Sequence, residues 1–504
     1  MRQASGVAIA WTVSLAVFMS VLDGTVINVA ISPMAKAFGV ELNSIQWVLT
    51  GYLLAQAAVI PVAGYFGLRW GLKRLFMICL ALFTGSSLLC GLAADEQQLI
   101  IFRVLQGLGG GALLPLAQAI ALAAFPPNER ANVSAIIGLS ALVAPVIGPT
   151  LGGFLTDSFG WRYIFFLNIP VGILALTLAW RILPADQLLK RDQGAFDAVG
   201  LALSMLGVLV LVYGFTLVGE IDPATISALS PRGAIYGWSA PLVWGLISGG
   251  LLLLAAFVWY ELRVSRNPVL DLRIFTNGEF SRGALVASLV AMVVFGSIFM
   301  LPIFFQQIRQ PNASATEAGL ILLPQGIASL IAVVLSGRLF YNRLGPRILI
   351  LTGAGLLALG SWGLIGLTET TNGLSIAPWL VLRGLGFGLT FVPAQTFALQ
   401  RITGHDLPKA SSLINMVRQI AGSVGTALVI NLFVQRTSFH ADELGAATAG
   451  ANAPALLTQA STLAVNDVFW LVLAGSLVIL LVALALPNRR GQQALDGPAA
   501  VMAE

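Results

Sequence analysis

Apolar runs of about 20 residues, the length a helix needs to cross the hydrocarbon of a bilayer, recur along the whole chain, and nothing else in the sequence restricts the fold as much. Fourteen runs fit that template: 7–31, 45–66, 74–94, 99–124, 133–155, 163–183, 196–219, 238–262, 281–306, 316–338, 346–367, 375–400, 410–434 and 464–487. Backbone inside lipid has no water to bond to, so runs of this kind must fold as helices. Only 10% of the 504 residues are charged, against about 25% in soluble domains, and mean hydropathy is +0.89. An all-α polytopic membrane protein is predicted. With the N-terminus in the cytoplasm, 19 of the 27 Lys and Arg fall on the cytoplasmic side and 5 in outer loops. That asymmetry follows the positive-inside rule and puts both termini inside. The net charge of +5 therefore reports orientation, not a nucleic-acid partner. Thirteen further runs follow the first, so the first is read as a retained span rather than a cleaved signal.

Several chemistries lack their residues. Cys79 and Cys90 share one apolar run, and His405 and His440 are the only histidines, which leaves no framework for disulfides or a metal. Neither a His-Glu-x-x-His zinc motif, a Gly-x-Ser-x-Gly elbow nor a phosphate-binding Gly-Lys-Ser/Thr loop is present, so an enzyme or a nucleotide-driven pump is not expected.

The exception to the apolar pattern is Asp23, deep in the first run. A carboxylate there is costly and marks a functional site until shown otherwise. Its best partner is Arg103 in the fourth run. Counting about 1.5 Å per residue from opposite ends, both fall in the outer half of the bilayer at similar depth. A pair costs less than two isolated charges. The other reading has Arg103 reaching the outer surface and Asp23 meeting backbone donors. In the second run Trp47, Tyr52 and Gln56 are candidates for a substrate cavity, Tyr52 and Gln56 sharing a helix face at i,i+4; interhelical packing through hydrogen bonds is an equal alternative. Asn28, Gln118, Gln395 and Asn415 complete the polar candidates.

The stretch Gly64 to Arg74, with Arg69, Gly71 and Lys73, reads as a short basic turn. In the fifth run Pro145, Gly148, Pro149, Gly152 and Gly153 combine prolines that bend a helix with glycines that admit a neighbour. The later runs echo the earlier ones. Gly337 to Arg347 mirrors the Gly64 turn, and Arg383-Gly384-Leu385-Gly386 mirrors the Arg103 stretch. The expected organisation is a six-helix bundle over 1–183, a linker with two extra spans over 184–280, a second bundle over 281–487 and a tail over 488–504. Two repeated bundles suit a transporter that rocks around a midplane site. Arg418 is a further buried charge of the second half, and the outer segment 435–463 is expected to be a loop with a surface helix over 455–465.

Leu22-Asp23-Gly24-Thr25-Val26-Ile27-Asn28-Val29-Ala30, Arg103-Val104-Leu105-Gln106-Gly107, Gly148-Pro149 with Gly152-Gly153, Trp161-Arg162 onward, Leu270-Asp271-Leu272 and Arg418 to Leu428 together resemble the major facilitator superfamily drug:proton antiporters with 14 spans, of the EmrB/QacA type and nearer EmrB. The resemblance implies proton-coupled multidrug efflux and antibiotic resistance, with Arg103 implicated in proton transfer and the fifth-run motif separating exporters from symporters. It implies no cofactor beyond the proton gradient, residence in a bacterial inner membrane, and a periplasmic adaptor protein and outer-membrane channel as partners. One position departs: Leu68 stands where the family carries an Asp, and Tyr341 and Asn342 occupy the matching turn, which removes the acid of the family's cytoplasmic gate. Export of a dedicated fatty acid, lysolipid or siderophore is the alternative, and a nutrient symporter or a non-transporting scaffold stands further off.

Overall fold

The computed structural model describes all residues except 1–5, 41, 46, 127–128, 185–196, 220, 223–233, 266–267, 404–405, 446–451 and 488–504. The long helices are α1 (Gly6–Phe38), α2 (Trp47–Trp70), α3 (Leu72–Leu92), α4 (Glu96–Ala123), α5 (Arg130–Phe159), α6 (Asn168–Ile182), α7 (Ala198–Leu217), α8 (Pro241–Arg263), α9 (Gly278–Ser297), α10 (Ala315–Leu335), α11 (Pro346–Trp362), α12 (Gly373–Leu399), α13 (Asp406–Glu443) and α14 (Ala453–Leu484). Each coincides with one of the expected spans. Among the described residues twelve helical segments are long and apolar enough to cross a membrane. α5, at 30 residues, and the 17-residue α11 lie at the other two. A two-residue antiparallel ladder, Ile221–Asp222 with Ala234–Ile235, sits between α7 and α8.

The chain divides into two compact units. The first comprises Met1–Val212, Ser248–Ala284 and Gln395–Val417; the second comprises Tyr213–Ile247, Leu285–Ala394 and Arg418–Glu504. In the first unit, glycine lets backbones meet where lipid gives no hydrophobic drive. A Cβ on Gly107 would stand 2.5 Å from the Tyr52 carbonyl oxygen, and one on Gly109 would stand 2.6 Å from that of Cys79. α4 is thus wedged between α2 and α3. On α5, Gly148 abuts Thr25, and a Cβ on Gly152 would lie 2.8 Å from the Val26 carbonyl oxygen. Gly152→Leu should force α1 and α5 apart and cost about 1–3 kcal/mol as overpacking. A melting curve in detergent checks this; an unchanged Tm would show that the interface can yield.

The turn expected over Gly64–Arg74 is much shorter than it looks. α2 runs on to Trp70, and Gly71, with φ 97°, makes the reversal alone. Gly345, with φ 83°, does the same before α11, so the two halves share this device. Gly64 lies inside α2, close to the Pro408 carbonyl, and its N–H donates to Ser412 Oγ at 2.8 Å. The Gln395–Val417 segment is held to the rest of its unit by Arg130 as well. Its Nη1 donates to the carbonyls of Leu399, Gln400 and Ile402 at 2.7–3.0 Å, meeting acceptors that the end of α12 leaves open. Arg130→Ala should cost about 1–3 kcal/mol, because those carbonyls stay buried without a donor. A loss of less than half a degree in Tm would show that other groups hold this segment.

The 435–463 region differs from expectation. α13 continues to Glu443 and α14 begins at Ala453, so the surface helix expected over 455–465 is the first part of one continuous 32-residue helix. Apolar content falls beyond Val434, but helix formers continue until Gly445 at φ 68°. The second unit also interrupts a span. α9 stops at Ser297, Ile298 and Phe299 form a turn, and helix resumes at Met300 before a π-helical turn over Phe304–Ile308. A bend in α5 was expected at Pro145 and Pro149; α5 is helical there, and both side chains lie outside the described residues, as does that of Asn28.

Candidate functional site

Asp23 stands about 26 Å along α1 and Arg103 about 10 Å along α4, at 1.5 Å per residue. Arg103 is 0% exposed and Asp23 5%. Their side chains meet in an ion pair, Arg103 Nη1 donating to Asp23 Oδ2 at 2.6 Å. The other carboxylate oxygen, Oδ1, accepts from Asn168 Nδ2 at 2.7 Å and from Gln106 Nε2 at 3.1 Å. Three donors and no acceptor face Asp23, a shell suited to an ionised carboxylate, which can only accept.

Each donor is itself held. Gln106, one helical turn beyond Arg103, accepts from Arg103 Nη1 at 2.8 Å through Oε1. Asn168, at the start of α6, also donates to Ser87 Oγ at 3.0 Å, and Ser87 donates to the Phe165 carbonyl. Arg103 Nε reaches the Val48 carbonyl at 3.2 Å. The guanidinium lies 4.3 Å from the Tyr52 ring centroid and 5.4 Å from that of Phe165, contacts that are stronger when desolvated. Arg103 Nη2 is buried without an acceptor. The pair is therefore tightly placed but leaves one donor spare, so the arginine has hydrogen-bonding capacity to follow a second arrangement.

The remaining candidates fall in several places. Tyr52 and Gln56 do share a face: Gln56 Nε2 donates to Tyr52 Oη at 2.7 Å, and Tyr52 Oη donates to the Ser20 carbonyl at 3.0 Å. This chain runs beside the ion pair through Tyr52. Gln118 and Asn415 meet within the first unit, Asn415 Nδ2 donating to Gln118 Oε1 at 2.6 Å. Gln395 is buried, whereas Trp47 is 38% exposed. Lys73 Nζ donates to the carbonyls of Trp180 and Leu183, closing the end of α6. Arg69 approaches Tyr65 Oη at 3.5 Å. In the second unit, Arg383 donates to Ser297 Oγ and Arg418 lies over the Phe391 ring. Gln106 and Asn168 were not singled out in advance. For Gln106 the signal is its i,i+3 spacing from Arg103; for Asn168 there is only its place a few residues after Trp161-Arg162. No group of three or more metal-ligating side chains occurs among the described residues.

The sequence model of the Major Facilitator Superfamily matches residues 13–426. The chain belongs to that superfamily. Multidrug export protein EmrB of Haemophilus influenzae is 31% identical over 496 residues, covering 93% of each chain. Fatty acid resistance protein FarB of Neisseria gonorrhoeae is 32% identical over 446 residues, covering 86% of this chain and 83% of its own. Among solved structures, the human organic anion transporter MFSD10 matches at TM-score 0.61 and 15% identity, over 94% of this chain and 100% of its own, a likeness of fold. The first of these relatives carries the name of the EmrB type that the motifs resemble. The chain is thus a multi-pass membrane protein of a transporter superfamily.

Proposed function

We propose that the protein exports lipophilic or cationic compounds across the bacterial cytoplasmic membrane in exchange for protons, with no cofactor beyond the proton gradient. The observation that carries this reading is the buried Asp23–Arg103 pair, inside a membrane span and bonded to Gln106 and Asn168. Protonation of Asp23 removes the anion that holds Arg103, and the guanidinium then relaxes toward the Gln106 and Val48 acceptors it already touches. A proton and a cationic substrate thus favour opposite states of one carboxyl, and each shifts the population toward its own. Arginine stays protonated throughout, so Asp23 is the group that carries the proton. Tyr52, Gln56, Gln118, Gln395 and Asn415 are assigned to the substrate path, Gly64, Arg69, Gly71 and Lys73 to gating, and the α5 glycines to packing that hinders proton leak.

The Lys/Arg distribution supports a cytoplasmic location for both termini. In a Gram-negative cell a periplasmic adaptor and an outer-membrane channel would extend the route. The second reading, export of a dedicated amphiphile, is favoured by the likeness to the protein named for fatty acid resistance. Ethidium transport into everted vesicles energised with a pH gradient tests the proposal. Gradient-dependent accumulation is expected; accumulation that ignores the gradient would contradict it.

A further inference from the structure

The second bundle keeps an arginine but not its acid. Arg383 occupies the place in α12 that Arg103 occupies in α4, each followed by a glycine-rich turn. Both are nearly inaccessible, Arg383 being 3% exposed. Arg103 bonds Asp23 on α1. Arg383 bonds Ser297, on the first long helix of the repeated half, Nη2 donating to Oγ at 2.8 Å. A neutral hydroxyl therefore stands where the first bundle has a carboxylate. The Ser297 proton is already given to the carbonyls of Val293 and Val294, so the hydroxyl serves the guanidinium only as an acceptor. Arg383 Nε is buried with no acceptor, and its Cζ lies 5.3 Å from the Phe469 ring centroid. Among the described residues Arg383 makes no ion pair.

Leaving a cation uncompensated inside a membrane protein is expensive, and the surroundings are built to keep it there. Gly360 has no room for a Cβ beside Arg383 Cγ, so the stem is gripped while the head lacks an anion. The second observation is the backbone. α9 breaks immediately after Ser297, with Ile298 and Phe299 out of the helix, and an interrupted span is tolerated where it is enclosed by protein or borders a polar cavity. Arg383 lies about 15 Å along α12, near the middle of a hydrocarbon layer of about 30 Å.

We propose that Arg383 is an anion-recognition site: it takes one monovalent anion at the interruption of α9, the carboxylate head of an amphipathic cargo. The guanidinium offers Nε–H together with its remaining N–H groups, a planar fork matched to a carboxylate. As far as it names a cargo, this rests on the second export reading, that of a dedicated amphiphile. A free inorganic anion would satisfy the same chemistry, and the test separates the two.

The experiment measures binding, not transport, by tryptophan fluorescence of the purified protein in uncharged detergent. The probes are sodium laurate, dodecanol as its uncharged counterpart, and sodium chloride against sodium sulfate at fixed ionic strength. Laurate is expected to bind about tenfold or more tightly than dodecanol, a difference near 1.4 kcal/mol. Arg383→Gln should erase that preference, leaving dodecanol binding in place as proof of a folded protein, and Arg383→Lys should keep part of it. A chloride response lost in Arg383→Gln, without a laurate preference, would support the anion site and overturn its assignment to cargo. A preference that survives Arg383→Gln, or no response to either anion in the native protein, would overturn the site. Loss of drug:proton exchange with the laurate preference intact would count against the export reading alone.

Discussion

Asp23→Asn is expected to abolish uphill transport while leaving exchange of substrate for substrate. The substitution preserves the shape of the side chain and one acceptor oxygen, so Arg103 Nη1 keeps a partner. It removes the only carboxyl of the buried cluster among the described residues, whose direct donors Gln106 and Asn168 carry no titratable proton. A gradient-driven cycle needs a proton to bind on one side and leave on the other; counterflow of labelled against unlabelled substrate does not. In proteoliposomes the variant should lose accumulation driven by a pH gradient by about 100-fold or more, the scale of two tenfold steps at about 1.4 kcal/mol each. Counterflow should stay within a few-fold of the parent. Loss of both activities in a protein that still binds substrate would show that Asp23 is needed for the conformational change itself, and a separate proton carrier would then have to be found.

Arg103→Ala should be the most destabilising single change in the first unit. It deletes the ion pair with Asp23, the bonds to Gln106 and Val48, and the stacking on Tyr52 and Phe165. Breaking one side of a buried pair costs about 3–5 kcal/mol, since the survivor keeps its desolvation penalty without its attraction. Asp23→Asn/Arg103→Ala should recover part of that loss, because no buried charge is left over, and the departure of the double variant from the sum of the two single variants is the coupling between the two groups. Thermal unfolding of the four proteins in one detergent gives the cycle. Strict additivity would mean that Asp23 and Arg103 do not interact in the folded protein and that Arg103 acts through its packing alone.

The sequence made the pair visible for a physical reason. A charge inside a span is so costly that each one stands out, and the rise per residue of a helix sets its depth. Gln106 and Asn168 did not stand out, because amides are common in membrane helices as packing groups and nothing in their spacing says that both point at one carboxylate. Gly64 shows a different limit. Its neighbours Arg69, Gly71 and Lys73 suggested a turn, yet Gly64 is helical and serves the close approach of Pro408 and Ser412, a contact between segments nearly 350 positions apart. The long ends of α13 and α14 escaped because hydropathy reports the lipid-facing part of a helix and not its continuation beyond it. The break after Ser297 escaped as well, although Pro302 marks it: four residues back stands the Ile298 carbonyl, which loses its N–H partner and meets the proline ring.

The most direct test of the central claim is substrate-induced proton release, followed with a pH electrode on purified protein in unbuffered detergent. Adding a lipophilic cation such as ethidium should release protons from the parent and none from Asp23→Asn, with binding confirmed in both. Equal release from the two proteins would contradict the assignment of the exchanged proton to Asp23.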